Sequence, residues 1–289
     1  MHSRKIPMLL LALDTSTRQA SLALCTEDAL LGEYTWHVGN NHSVELLERI
    51  QRIIAECNKT MQEIDAVAVA TGPGSFNGVR VALSAAKALA FSLQKPLVGV
   101  STLDIIAAQQ QQWQGPVCSI LEAGRSELYA ACYAFDKTLN SDGEMSYSMR
   151  QLSDFFLLSP QHLASYLREQ ANTWFGIPGK RELPFFLFCG EINLTSRQML
   201  FTQMQEKCVF VNSVQAARHA SVLALLALQR LHDGKEDDPL LLEPLYIRRP
   251  SITTSTRKHP LLGGKSHRPV GHSPEGPGQT EREEGALRH

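Results

Sequence analysis

Apolar residues run without interruption over positions 8–13, the pattern of a strand buried on both faces, and Asp14 ends the run. Two stretches of strand-like composition follow at 21–25 and 30–36, with the turn residues Glu27 and Asp28 between them. The chain therefore opens with a three-strand meander. The period then changes: Val44, Leu47, Ile50, Ile54 and Cys57 recur every three or four residues. That spacing predicts a helix over 44–57, with Asn41 or Ser43 as its cap and Glu45 in its first turn. Positions 65–70 read as a Val/Ala strand, 76–93 as an alanine-rich helix stopped by Pro96, and 97–100 as a strand. A third helix follows over 102–112, capped by Ser101. The first hundred residues thus read βββ-α-β-α-β-α, a mixed order that calls for an α/β sheet.

In the second half, strands are predicted at 117–121 and 127–135, a hairpin or loop over the polar stretch 136–148, and a helix at 160–169 with Pro160 near its first turn. A buried strand at 185–189 and a helix at 217–232, stopped by Gly234, complete the pattern. From Ser251 onward Ser, Thr, Gly, Pro, His and charge dominate. Such a segment buries too little apolar surface to offset its ordering entropy, which predicts a disordered tail from about Thr253 to His289. The expected organisation is an N-terminal lobe over 8–112, a C-terminal lobe over 113–250 and the tail over 251–289. No internal repeat is visible as sequence, although both halves read as strands followed by helices.

Composition narrows the function classes. With 43% hydrophobic and 20% charged residues among 289, a sizeable core is available. Lys plus Arg total 28 against 29 for Asp plus Glu, which argues against a chain that grips nucleic acid unaided. The six cysteines contain no C-x-x-C pair, the usage of inert buried thiols in a reducing compartment. No stretch of about 18 apolar residues is present to span a membrane, and the run at 8–13 is too short for a secretory signal. A cytoplasmic location is expected.

Three segments could carry chemistry. Asp14-Thr15-Ser16-Thr17, at the end of the first strand, could hold a phosphate or hydrated metal, or could cap backbone amides. Thr71-Gly72-Pro73-Gly74-Ser75-Phe76-Asn77-Gly78-Val79-Arg80 joins a strand to a helix whose N-terminus attracts anions. It lacks the Gly-Lys-Ser/Thr of a P-loop and the glycine spacing of a dinucleotide fingerprint, so Gly72, Gly74 and Gly78 read equally as a structural turn. The helix 76–93 carries small residues that permit close helix approach, and the helix 44–57 is also apolar at Leu46 and Ile53, beside its main stripe. Its wide apolar arc leaves room for a second contact surface. No histidine or cysteine spacing suits a metal, and no nucleophile–base arrangement is visible. The charges of Glu122-Ala123-Gly124-Arg125-Ser126-Glu127 fit a hairpin corner.

These residues carry a family resemblance. Leu11-Ala12-Leu13-Asp14-Thr15-Ser16-Thr17, Asn41-His42-Ser43-Val44-Glu45-Leu46-Leu47, Gly72-Pro73-Gly74-Ser75-Phe76-Asn77-Gly78-Val79-Arg80 and Gly99-Val100-Ser101-Thr102-Leu103 occur in the order and spacing of the bacterial TsaB (YeaZ) family. Ala123-Gly124-Arg125-Ser126-Glu127-Leu128-Tyr129 and Pro244-Leu245-Tyr246-Ile247-Arg248 resemble its later motifs. The resemblance covers about 8–250 and not the tail. It implies an actin-like ATPase fold, two related α/β lobes with mixed sheets flanked by helices. It also implies a non-catalytic part in making threonylcarbamoyladenosine at position 37 of tRNAs reading ANN codons. In that role the chain would pair with the transferase TsaD through its first two helices, and TsaE would act on the pair. A homodimer would form when TsaD is missing, tRNA would be met only through the complex, and no cofactor or metal would be held. The implied contact residues are His42, Leu46, Leu47, Ile50, Ile53, Ala82, Ala86 and Phe91. The phosphate motif of the fold, D-x-G-[ST], is degenerate here because Ser16 replaces its glycine, and only Gly190 remains of the adenosine motif. The competing readings are a glycoprotease-like enzyme and an actin-fold ATPase acting alone.

Overall fold

The computed structural model describes residues 7–38, 42–139, 143, 145–175 and 184–248. The tail predicted from Thr253 and the proposed cap Asn41 lie outside them. The opening apolar run forms β1 (Leu10–Asp14), buried throughout because it pairs on both sides. It runs antiparallel to β2 (Gln19–Cys25) and parallel to β4 (Ala66–Ala70). With β3 (Leu30–His37) beside β2 and β5 (Leu97–Val100) beside β4, the first sheet has the order β3-β2-β1-β4-β5. Alternation along the strands sorts side chains to two faces. Leu11, Leu13, Leu22, Leu24, Val67 and Val69 meet α1 (His42–Glu56) and α2 (Phe76–Leu93). Leu10, Ala12, Ala23, Ala66, Ala68 and Ala70 turn the other way and pack against α6 (Ala220–His232), whose Ala220, Ala224 and Ala227 let it lie close.

The second sheet repeats this topology. A meander of β6 (Val117–Gly124), β7 (Glu127–Leu139) and β8 (Met145–Gln151) is followed by α4 (Pro160–Phe175), then β10 (Phe186–Glu191), α5 (Leu194–Gln203) and β11 (Cys208–Phe210). The order is β11-β10-β6-β7-β8, the counterpart of the first, with a short β9 (Phe156–Leu158) added to β7. Helices α4 and α5 cover one face around Leu163, Leu167, Phe186, Phe188 and Leu200. The other face is covered by α3 (Thr102–Ala108), through Leu103, Ile106 and Ala107. Each half thus lends its last helix to the other half's sheet: α3 packs on the second and α6 on the first. A boundary at 112 separates the sheets in sequence but not the layers.

The polar stretch 136–148, expected as a hairpin or loop, is a hairpin, the end of β7 and the start of β8 pairing from Tyr133↔Gln151 to Leu139↔Met145. Several elements differ from the sequence reading. The third helix ends at Ala108, and α4 extends to Phe175. The short strands β9 and β11 and helix α5 carry little apolar periodicity: of α5 only Ser196 and Leu200 are buried. Asn193 caps α5 by accepting the Ser196 N–H at 2.8 Å.

Candidate functional site

Strand β1 delivers Asp14, Thr15, Ser16 and Thr17 to the turn before β2, at 1%, 1%, 0% and 9% exposure. Every side-chain oxygen brought there meets protein. Asp14 Oδ1 accepts the Ser16 N–H at 2.8 Å and also the Ser16 hydroxyl. Thr15 Oγ1 donates to the Gly78 carbonyl at 2.6 Å, and Thr17 Oγ1 donates to Glu191 Oε1 at 2.6 Å. The glycine-rich loop presses onto the same turn, with the Ser75 N–H donating to the Ser16 carbonyl at 2.6 Å. A Cβ on Gly74 would stand 2.1 Å from the Ser16 carbonyl oxygen, and one on Gly78 would stand 2.1 Å from that of Thr15. Both glycines are there because backbone meets backbone. Gly72 supplies a φ of +98° at the start of the loop. Ser75 caps α2, accepting the Gly78 N–H at 3.3 Å. The amides of Ser16, Ser75 and Gly78, which could face an anion, therefore all face protein oxygens.

A residue without any motif completes the site. Arg218, just before α6, is 1% exposed. Its Nε donates to Asp14 Oδ2 at 2.8 Å, one terminal nitrogen donates to Thr17 Oγ1 at 2.7 Å and to the Gln19 carbonyl at 2.6 Å, and the other donates to the Glu191 carboxylate. Burial works against its charge, but Asp14 and Glu191 outweigh that and hold the guanidinium above its ordinary pKa. Asp14 ends β1 and Glu191 ends β10, so one side chain joins the two sheets across their cleft. Where the glycine loop meets Tyr129 and residues 244–248, a cavity of only about 20 Å³ remains. That is roughly one water molecule, against several hundred Å³ for a cofactor pocket. A larger opening of about 510 Å³ lies on the second-sheet side, lined by Glu122, Arg125, Asn193, Thr195, Ser196 and Met199, and does not reach the turn. The sequence offers one signal for Arg218: a cation at a helix N-terminus opposes the helix dipole and so needs a carboxylate from elsewhere.

The helix surfaces correct the expected contact set. Leu46, Ile50, Ile53, Ala82 and Ala86 are 0–1% exposed and belong to the core between α1, α2 and the first sheet. They are not available to a partner. Periodicity revealed a broad apolar arc but not which part of it the sheet consumes. The outward arc of α1 carries Leu47, Gln51 and Ala55, and that of α2 carries Arg80, Ser84, Ala88 and Phe91. Leu47 is 52% exposed and Phe91 74%. Of the expected contact set these two remain on the surface. His42 begins α1, and its side chain lies outside the described residues.

Among the described residues no group of three His, Cys, Asp or Glu side chains is placed to hold a metal ion, and no helix is long and apolar enough to cross a membrane. All six cysteines are free thiols, five of them buried. Burial pushes Cys25 up to about 12 and Cys208 up to about 11, so neither supplies a thiolate near neutrality.

Comparison with known proteins gives one direction. The family model described as "TsaD: tRNA N6-adenosine threonylcarbamoyltransferase" matches residues 37–255. The tRNA threonylcarbamoyladenosine biosynthesis protein TsaB of Bacillus subtilis is 35% identical over 132 residues, 46% of this chain and 58% of that protein. Its Escherichia coli namesake is 28% identical over 169 residues, 58% of this chain and 69% of that one. The chain thus aligns with little more than half the length of its Bacillus relative. The structure of YeaZ from Pseudomonas aeruginosa superposes with a TM-score of 0.63 at 26% identity, covering 83% of this chain and all of that one. A second Pseudomonas structure, described as similar to peptidase YeaZ, gives 0.64 at 27% with the same coverage.

Proposed function

The chain belongs to the TsaB (YeaZ) family, within the group matched by the TsaD family model, and on that premise we propose that it is a non-catalytic partner subunit of a TsaD-type threonylcarbamoyltransferase. In this reading it is needed to form threonylcarbamoyladenosine at position 37 of tRNAs reading ANN codons. It docks TsaD through the outward faces of α1 and α2, TsaE acts on the pair, and a second copy takes the same faces when TsaD is absent. The observation that carries the reading is the pairing of a filled cleft with an open helix face. Arg218 occupies the Asp14 carboxylate and the Thr17 hydroxyl, at the turn that an actin-fold ATPase directs toward its ligand. Leu47, Ala55, Ser84, Ala88 and Phe91 present apolar and small side chains to solvent on adjacent helices. A stable partner of this kind would cover about 1,600 Å² in total and lean on a few apolar anchors, of which Phe91 is the largest.

Reconstitution tests it. TsaD, TsaE, a threonylcarbamoyl-adenylate synthase and tRNA should modify adenosine 37 when this chain is added and not when it is omitted. Equal modification without the chain would end the proposal. The enzyme readings need an activated water or nucleophile, or an open phosphate turn, and calorimetry with ATP and magnesium on the chain alone separates them. Micromolar binding with turnover would favour the ATPase.

A further inference from the structure

A cation near the start of α2 has no acid to answer it. Arg80 lies in the second turn of α2, where the helix dipole opposes a positive charge, and the first turn carries no acidic residue. Arg218 stands in a similar position before α6, and there Asp14 and Glu191 reach it from other strands. Arg80 is exposed, and its hydrogen bond among the described residues goes to the Tyr246 hydroxyl, not to a carboxylate. We propose that Arg80, held on the rings of Phe76 and Tyr246, is a charged anchor of the docking face and receives a carboxylate side chain of the TsaD-type partner. This anchor presupposes the docking face proposed above and adds the chemistry of one contact.

The guanidinium is fixed before any partner arrives. Its carbon sits 3.7 Å from the Phe76 ring centroid and 5.8 Å from that of Tyr246, and its Nε donates to the Tyr246 hydroxyl at 2.8 Å. The two rings are 5.7 Å apart. The segment that carries Tyr246 is itself tied down: Leu245 N–H donates to the Thr71 carbonyl at 2.8 Å, and Arg248 donates to the Ala123 carbonyl at 3.0 Å. With Nε engaged, the two terminal nitrogens are left as an end-on fork, which matches the two oxygens of a carboxylate. Ordering a long side chain normally opposes binding. Here the rings have already removed much of that freedom, so less is lost when the partner docks.

Arg80 also continues the face assigned to the partner. Phe76, Arg80, Ser84, Ala88 and Phe91 follow one another at three or four residues, all are exposed, and together they form one stripe along α2. At 1.5 Å per residue the stripe is about 22 Å long. Phe76 is 44% exposed and Phe91 74%, so an aromatic ring stands at each end with small side chains between. A partner element can come close over Ser84 and Ala88 while the two ends grip it. Tyr246, 37% exposed, widens the Arg80 end. Aromatic and arginine side chains are the ones that most often anchor interfaces. A small free anion would gain nothing from the apolar stripe, which favours a carboxylate carried on a protein surface.

The experiment titrates TsaD with the full chain by calorimetry at about 50 and about 400 mM salt, using the parent, Arg80→Gln, Tyr246→Phe and Phe91→Asp. Arg80→Gln should weaken binding about tenfold or more at low salt and remove most of the salt dependence, because an exposed ion pair is what added salt screens. Tyr246→Phe keeps the ring but releases Nε, and should weaken binding by about threefold. Both should unfold at the parent's temperature. Parent-like affinity and salt dependence in Arg80→Gln would overturn the proposal. If Phe91→Asp still disrupts the complex in that case, the docking reading stands without this anchor. Parent-like binding by Phe91→Asp would instead remove the docking reading and the anchor with it. A lowered unfolding midpoint accompanying the loss in Arg80→Gln would overturn the proposal in favour of a latch for residues 244–248. Weaker self-association with unchanged affinity for TsaD would overturn the choice of partner.

Discussion

Arg218→Met separates a filled cleft from an empty one. Methionine keeps much of the side-chain length and removes the charge. Asp14 and Arg218 are each 1% exposed, so the carboxylate left behind has no water to take over from the guanidinium. Two donors from Ser16 remain to Asp14 Oδ1, but Oδ2 loses its partner, and the Gln19 carbonyl and Thr17 hydroxyl each lose one charged donor while Thr17 keeps its bond to Glu191. Stranding one member of a buried pair costs about 3–5 kcal/mol. The Glu191 contact adds little, because that side chain is 40% exposed and water replaces much of the interaction. For a folded unit of this size, about 2–4 °C per kcal/mol translates the loss into a drop of roughly 6–20 °C in the unfolding midpoint. Urea unfolding at pH 7 measures it, with the m-value held as the check on two-state behaviour. Adding Asp14→Asn to Arg218→Met should recover part of the loss, so that the two substitutions together cost about 1–3 kcal/mol less than their sum. An Arg218→Met protein within 1 kcal/mol of the parent, or a double variant that shows plain additivity, would refute the claim that the guanidinium carries the charge of Asp14. Micromolar ATP binding by the parent would refute the closed cleft itself.

Three further outcomes are expected. Ala88→Glu or Phe91→Asp should abolish co-purification with TsaD and leave thermal unfolding within about 0.5 kcal/mol of the parent, whereas Leu46→Glu, at 0% exposure, should destabilise the chain itself by several kcal/mol. Equal thermal behaviour of the Leu46 and Ala88 variants would show that the faces are assigned wrongly. Gly78→Ala places a Cβ 2.1 Å from the Thr15 carbonyl and should cost about 2–3 kcal/mol, more than Gly234→Ala, where φ is +70° but no atom lies within 4 Å; denaturant melts of both rank them, and the reverse order would remove the backbone contact as the reason for Gly78. Burial holds the Asp104 carboxyl above its ordinary 3.8, although Tyr133, donating at 2.6 Å, and Arg230 pull the other way. The folded state therefore binds this proton more tightly than the unfolded chain, and its contribution is lost as pH rises through the folded value. Stability of the parent relative to Asp104→Asn should fall from about pH 4 toward neutrality, and a difference that stays flat over that range would show that the carboxyl is not desolvated.

The order of the early elements was legible because local patterns write it directly. Alternation and continuous apolar runs marked β1, β2, β3, β4 and β5, the three-four spacing marked α1, and α2 was placed from Phe76 to Leu93, as the structure has it. The small residues of the glycine loop signalled close packing, and Gly74 and Gly78 provide it. Legibility declined where local signal is thin. Strands of three residues such as β9 and β11, and a helix with only two buried residues such as α5, owe their form to neighbours rather than to their own periodicity.

By itself, the sequence determined which residues seek burial, in what period, and where backbone must turn or approach closely, since these follow from side-chain shape and from contacts among residues near in the chain. Only the tertiary structure decided that α3 and α6 exchange sheets, that the sheet takes Leu46, Ile50, Ile53, Ala82 and Ala86 and leaves Leu47 and Phe91 outside, and that Arg218 meets Asp14 from 204 positions away. Each of these is a choice between equally apolar faces or equally free charges. It is settled by which surfaces the assembled sheets bring together, and that information is not local to any segment.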